Sequence, residues 1–138
     1  MGCDIHIHIE VQINGDWHHY NHPKVLRDYS LFSKMAGIRG EEDPISEPKG
    51  LPEDISFTTR FDAEHWGIDG HSHSYLGQNE IKQLREWMEN QDQYKEKFFP
   101  LEQMFGFLFG NSLNGISEYP NEYPPGVEDA RIVFWFDN

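Results

Sequence analysis

The chain begins with a strict alternation of polar and apolar residues from Asp4 to Ile13. Successive side chains of an extended strand point to opposite faces of the sheet, so this pattern predicts a strand with one apolar face. That face would carry Ile5, Ile7, Ile9, Val11 and Ile13. The opposite face would carry Asp4, His6, His8, Glu10 and Gln12. Two interpretations of the polar face are open: a solvent-exposed surface, or a site where imidazoles and a carboxylate converge on one ligand.

The remaining pattern predicts an α+β fold in a single domain spanning residues 1–138. Asn14-Gly15 is a strong hairpin signal, which predicts a return strand through Trp17–Tyr20. Helices are predicted over residues 31–36, 56–64, 79–95 and 101–109, the first capped by Asp28 or Ser30 and stopped by Gly37. Loops are predicted at residues 40–56 and 117–126, a polar turn at 69–74 and a buried strand at 130–136. The N-terminal β-hairpin and the C-terminal strand should form an antiparallel sheet packed against several helices.

The chain is strongly acidic, with 24 Asp and Glu against 11 Lys and Arg and a net charge of −13. This balance argues against generic binding of nucleic acid, which needs a positive field. A small anionic ligand stays possible, because a local group of cations can oppose the global charge. The single cysteine, Cys3, fits a reducing compartment, and no apolar stretch is long enough to cross a membrane. We therefore expect a soluble, cytoplasmic protein without a membrane partner.

An Asp-x-His-x-His element occurs twice, beginning at Asp4 and at Asp69. Imidazole nitrogen and carboxylate oxygen are good ligands for zinc, manganese or iron, so two such elements meeting in space could bind one or two ions. The expected cofactor is a divalent metal, zinc or manganese. The simpler interpretation of the second element is a turn, because Asp, Gly and Ser are turn formers.

The second element also precedes a predicted helix, whose N-terminal N–H groups could hold an anion without any metal. The side chains that could take part are Ser72, Ser74, Tyr75, Arg39 and Arg60. The alternatives are that the two arginines are solvated and that Tyr75, like Trp17 and Trp66, covers the core rather than stacking on a planar ring. Cys3 could be a nucleophile or a ligand, or simply a core residue. The remaining histidines are interpreted as surface or packing residues: His18, His19, His22 and His65.

Several blocks of the sequence resemble an uncharacterised family of small proteins common in phages and prophages. They are Met1–Glu10, Asp28–Phe32, Ala36–Gly40, Pro48–Pro52, Asp69–Leu76 and Val133–Asn138. In that family His8 and His73 are replaceable whereas Asp4, His6, Asp69 and His71 recur. The resemblance therefore implies a four-residue site with catalytic and metal-binding roles. It also implies an infected or lysogenic bacterial host as the setting and a counter-defence role by analogy with other small phage proteins.

The leading hypothesis is a pocket of Asp4, His6, Asp69 and His71, rimmed by Arg39 and Arg60, that binds a small phosphorylated or nucleotide-type ligand. A bound metal would activate water if the protein is a hydrolase. The first alternative is a non-catalytic sponge that sequesters a nucleotide-derived immune signal and forms a homo-oligomer. The second is an acidic inhibitor that binds a host protein.

Overall fold

The computed structural model describes residues 2–40, 42–109 and 126–137 of the chain. The strands are β1 (Asp4–Ile13), β2 (Asp16–Asn21), β3 (Gly70–Leu76) and β4 (Asp129–Asp137). The helices are α1 (Tyr29–Ala36), α2 (Phe57–Trp66), α3 (Gln78–Glu89) and α4 (Tyr94–Phe109), with short 3-10 turns at Ile38–Gly40 and Gly67–Asp69. All strand pairs are antiparallel and the sheet order is β2-β1-β4-β3. The predicted α+β class is confirmed.

The N-terminal hairpin forms as its sequence predicts. Asn14 and Gly15 have φ values of 52° and 83°, the positive values that a two-residue hairpin turn requires. The predicted return strand is β2, which pairs with the far half of β1. The apolar face of β1 is buried from Ile5 through Val11, and Ile13 packs against the edge of the same core.

The C-terminal strand β4 lies between β1 and β3 and forms the centre of the sheet. Its β-branched and aromatic residues are buried from Ala130 through Phe136, as the sequence predicts for a central strand. One of its faces, with Phe134 and Phe136, joins the core of β1, α1, α3 and α4. The other face, with Arg131 and Trp135, lies beside the polar residues of β1 and positions the site described below.

Two of the helices follow their local signals closely. Helix α1 is capped by Asp28, whose Oδ1 accepts the Leu31 N–H at 3.1 Å, and it ends at Gly37 with φ 77°. Helix α2 spans Phe57–Trp66, within two residues of the prediction at both ends. No helix among the described residues is long and apolar enough to cross a membrane.

Three predicted elements differ in the structure. The helix predicted over residues 79–95 ends at Glu89, and the helix predicted over 101–109 begins earlier than expected, at Tyr94, after Gln93 takes a φ of 58°. Helix α4 includes Pro100, whose missing N–H removes one intrahelical hydrogen bond. The polar turn predicted at residues 69–74 is wrong, because Gly70–Leu76 pairs with β4 as strand β3. The loop predicted at 117–126 lies outside the described residues, except for Gly126.

Candidate functional site

The polar face of β1 is largely covered rather than solvent-exposed. His8 is 2% exposed and Glu10 is 0% exposed. The cover comes from β2, from α2 and from the segment before α2, which hydrogen-bond to these two side chains. The interpretation of this face as a solvent-exposed surface is therefore wrong at Glu10, whose carboxylate lies under the start of α2.

Glu10 is the centre of a buried ionic network. Its Oε1 accepts from Arg131 Nε at 2.9 Å, and its Oε2 accepts from the Ser56 N–H and the Thr59 hydroxyl, both at 2.8 Å. Burial raises the pKa of Glu10, but these hydrogen bonds outweigh it and hold the pKa below the ordinary value. Arg131 also donates to Asp54. These contacts give Glu10 a structural role, anchoring α2 to the sheet.

His8 forms the second buried polar group on this face. Its Nε2 lies 2.7 Å from Asp62 Oδ2 of α2, and its Nδ1 lies 2.9 Å from His19 Nε2 of β2. Its ring stacks on His22 at 4.2 Å and on Trp135 at 5.2 Å between centroids. Burial lowers the pKa of His8 to about 4, the Asp62 hydrogen bond opposing this shift and the nearby His22 adding to it. The ring is therefore neutral at physiological pH.

His22 connects this buried group to solvent. It is an exposed residue that directly follows β2. Its Nδ1 lies 2.6 Å from the Ile7 carbonyl oxygen, which can only accept, so Nδ1 carries the proton and Nε2 keeps a lone pair. The sequence interpretation of His19 and His22 as surface or packing residues missed this connection to His8.

A groove of about 470 Å³ lies between the first residues of β1 and the segment that follows β2. Its polar lining comprises Asp4, His6, His22, Lys24 and Arg27, and its apolar lining includes Val25 and Leu26. Two of the four predicted site residues, Asp4 and His6, therefore lie in one groove. His22 lines the same groove, so the groove adjoins the buried His8 group.

Asp4 and His6 each have a defined partner within this region. Both Asp4 oxygens accept from Arg27, through Nε and Nη2 at 3.0 Å each, and this hydrogen bonding lowers the pKa of Asp4. His6 Nε2 lies 2.5 Å from Asp137 Oδ2 at the end of β4, and its ring lies 4.2 Å from the Trp66 ring. Asp4 thus fixes the guanidinium of Arg27 at the groove wall.

The second Asp-x-His element is divided by an irregularity in β3. The register shifts between His71 and Ser74, where Ser72 has a φ of 58°. His71 is paired in register with Phe136 of the core face, whereas the His73 ring lies 5.8 Å from Trp135 on the opposite face. Burial, followed by the neighbouring His71, lowers the pKa of His73. His73 therefore shares a face with His6 and His8, while Asp69 is exposed in the preceding 3-10 turn.

Within the described residues, the predicted ligands Asp4, His6, Asp69 and His71 do not supply three donor atoms to one point. The group of three that the structure brings together is His8, His22 and Asp62, with all ligand atoms within 4.8 Å of one another. One member of this group is His8, which belongs to the first Asp-x-His-x-His element and which the resemblance treats as replaceable.

The other predicted ligand-binding residues lie outside the groove lining. Arg39 packs over the Tyr29 ring, and Arg60 donates to the Glu53 carbonyl. Ser72 pairs with His71, while Ser74 and Tyr75 contact the backbone and ammonium of Lys49. Cys3 is fully buried in the core, and burial raises the pKa of its thiol, which disfavours the reactive thiolate.

Comparison with family models, with curated proteins and with solved structures finds no match to this chain. Function is therefore inferred below from the side chains of the groove and of the buried group beside it.

Proposed function

We propose that this protein binds a small phosphorylated ligand of nucleotide size in the groove between β1 and residues 22–27. The observation that carries the proposal is the pair of cationic side chains in its lining, Lys24 and Arg27, which stand against the carboxylate of Asp4 and beside the rings of His6 and His22. Two cations against the one carboxylate of Asp4 give this lining a local positive excess, which an anion needs in a chain of net charge −13. Arg and Lys are the side chains that bind phosphate best.

The size and the apolar part of the groove support a ligand larger than free phosphate. Small-molecule sites have volumes of about 300–1,000 Å³, and this groove measures about 470 Å³. Leu26 is 70% exposed beside Val25, which gives a base or ribose an apolar surface to cover. A nucleotide would place its phosphate near Lys24 and Arg27 and its ring over these side chains.

The biological role is part of the same proposal, and it rests on the resemblance to small phage and prophage proteins. In a phage setting, the ligand would be a nucleotide-derived immune signal in the cytoplasm of an infected or lysogenic bacterium, and the protein would oppose host defence by removing it. Sequestration and hydrolysis would use the same groove. Incubation with cyclic and linear nucleotides, heating and chromatography would separate release of intact ligand from cleavage, and light scattering of the complex would report the homo-oligomer.

Reversing the charge of Lys24 is expected to weaken nucleotide binding by at least about tenfold, because a carboxylate would replace a cation at the phosphate position. The measurement is isothermal titration calorimetry of Lys24→Glu with the tightest-binding nucleotide of the panel. Lys82→Glu is the matched control, because Lys82 is also an exposed lysine but lies on α3, outside the groove lining.

The control variant is expected to bind as the unmodified protein does. Equal weakening in Lys24→Glu and Lys82→Glu would mean that only the total charge matters, which would contradict a site at the groove. Absence of binding by every nucleotide of the panel would also reject the proposed function.

A further inference from the structure

We infer that His8, His22 and Asp62 form a binding site for one divalent transition-metal ion, with zinc as the best match. Two imidazoles and one carboxylate are the donor set of three-ligand zinc sites, which keep a fourth position for water or substrate. The three ligand atoms already lie within 4.8 Å of one another. Zinc–ligand bonds of about 2 Å in a tetrahedral site place donor atoms about 3.3 Å apart, so the side chains have to rotate toward one another to bind the ion.

The hydrogen bond of His22 is the arrangement that metal-binding histidines use. Its Nδ1–H donates to the Ile7 carbonyl at 2.6 Å, which orients the ring and leaves the Nε2 lone pair for an ion. Ile7 belongs to β1, so the strand that carries His8 also holds the ring of His22. The two rings stack at 4.2 Å with 11° between their planes, so their in-plane lone pairs run parallel and the exposed His22 ring has to tilt out of the stack to share an ion with His8.

His8 can become a ligand without leaving a buried group unpaired. The Asp62 carboxylate only accepts, so His8 Nε2 carries the proton in the metal-free protein and Nδ1 accepts from His19. When an ion takes Nε2, the ring proton moves to Nδ1 and donates to His19 Nε2, and the proton that His19 carried on Nε2 moves to its own Nδ1. Both rings stay neutral, so no proton is released from them, and His19 becomes the supporting partner that metal-bound histidines require.

The position of the site gives the ion a function beyond structure. His22 lines the groove proposed for the phosphorylated ligand, so an ion on His22 would lie at the wall of that groove. Its open position could activate a water molecule or bind a phosphate oxygen. This catalytic consequence rests on the proposed function, whereas metal binding itself does not.

Calorimetry of chelator-treated protein titrated with Zn²⁺ tests the site directly, and Co²⁺ spectra report the coordination geometry. We expect one ion per chain. His22→Ala and Asp62→Asn are each expected to lower the affinity about a hundredfold; the second variant keeps the size of the side chain and guards against loss of folding, which circular dichroism would monitor. His18→Ala is the matched control, because His18 is an exposed histidine of the neighbouring strand.

Three results would overturn the inference. They are no binding of Zn²⁺, binding that survives both His22→Ala and Asp62→Asn, and binding lost instead in Asp69→Ala and His71→Ala. The outcome is separable from that of the nucleotide experiment. Zinc binding without nucleotide binding would support the metal site and reject the proposed function. Nucleotide binding to a protein that binds no zinc would support the proposed function and reject the metal site.

Discussion

Arg131→Met is expected to lower the free energy of unfolding by about 3–5 kcal/mol, the largest effect of any substitution considered. The reason is that Glu10, which is 0% exposed, would lose its only cationic partner among the described residues while staying buried. Arg131 also donates to Asp54 and lies 3.9 Å from the centre of the Trp17 ring. The substitution therefore loosens the connection between the sheet and the segment that leads into α2. Chemical denaturation would measure the change.

The double variant Glu10→Leu, Arg131→Met separates charge burial from general loss of packing. Removing both charges is expected to recover a substantial part of the stability, since the main penalty is an unpaired carboxylate. Lys49→Met is the comparison for a more exposed pair, because Lys49 bonds Glu80 near solvent and its loss should cost at most about 1 kcal/mol. A cost for Arg131→Met no larger than that for Lys49→Met would contradict the buried network.

Acidifying the metal-free protein from about pH 7 to about pH 5 is expected to lower the free energy of unfolding by about 2 kcal/mol through His8 alone. Burial holds the pKa of His8 at about 4 in the folded protein, against an ordinary 6.5. Between these values the unfolded chain binds a proton that the folded chain does not. Stability is therefore complete above about pH 6.5 and is lost as the pH falls toward 4.

The test compares the free energy of unfolding at the two pH values within each variant. Any loss of stability that the substitution causes equally at both pH values therefore cancels. His8→Gln should show a smaller loss on acidification than the unmodified protein. Some loss should persist, because burial also lowers the pKa of His19 and His73. His18→Gln should retain the full loss. The explanation would fail if His8→Gln retained the same pH dependence as the unmodified protein.

The sheet could be predicted because its signals are local. The alternation in β1, the Asn14-Gly15 turn and the aromatic run of β4 each identify an element without knowledge of the rest of the chain. Strand β3 could not be predicted in this way, since Gly70, Ser72 and Ser74 favour turns. It forms because β4 offers an unpaired edge, and pairing with that edge overrides the local preference.

The site could be predicted only in part, because local signals do not show which residues tertiary contacts bring together. Alternation shows which side chains share a face, and this places Asp4 and His6 together at the start of β1. It does not show what covers that face. Asp62 lies 54 residues from His8 in sequence, and no local signal joins the two. For His22 the sequence shows only that it precedes Pro23 at the end of a predicted strand. Its hydrogen bond to the Ile7 carbonyl is a tertiary contact, which no local pattern indicates.

The most direct test of the site at the start of β1 uses the histidine rings as reporters. Imidazole ¹H–¹⁵N NMR spectra would be recorded while the tightest-binding nucleotide is added to the protein. Because His6 and His22 line the groove and His18 does not, the ring signals of His6 and His22 are expected to move with the binding curve while those of His18 stay in place. Saturable nucleotide binding that leaves the His6 and His22 signals unchanged would contradict the proposed site.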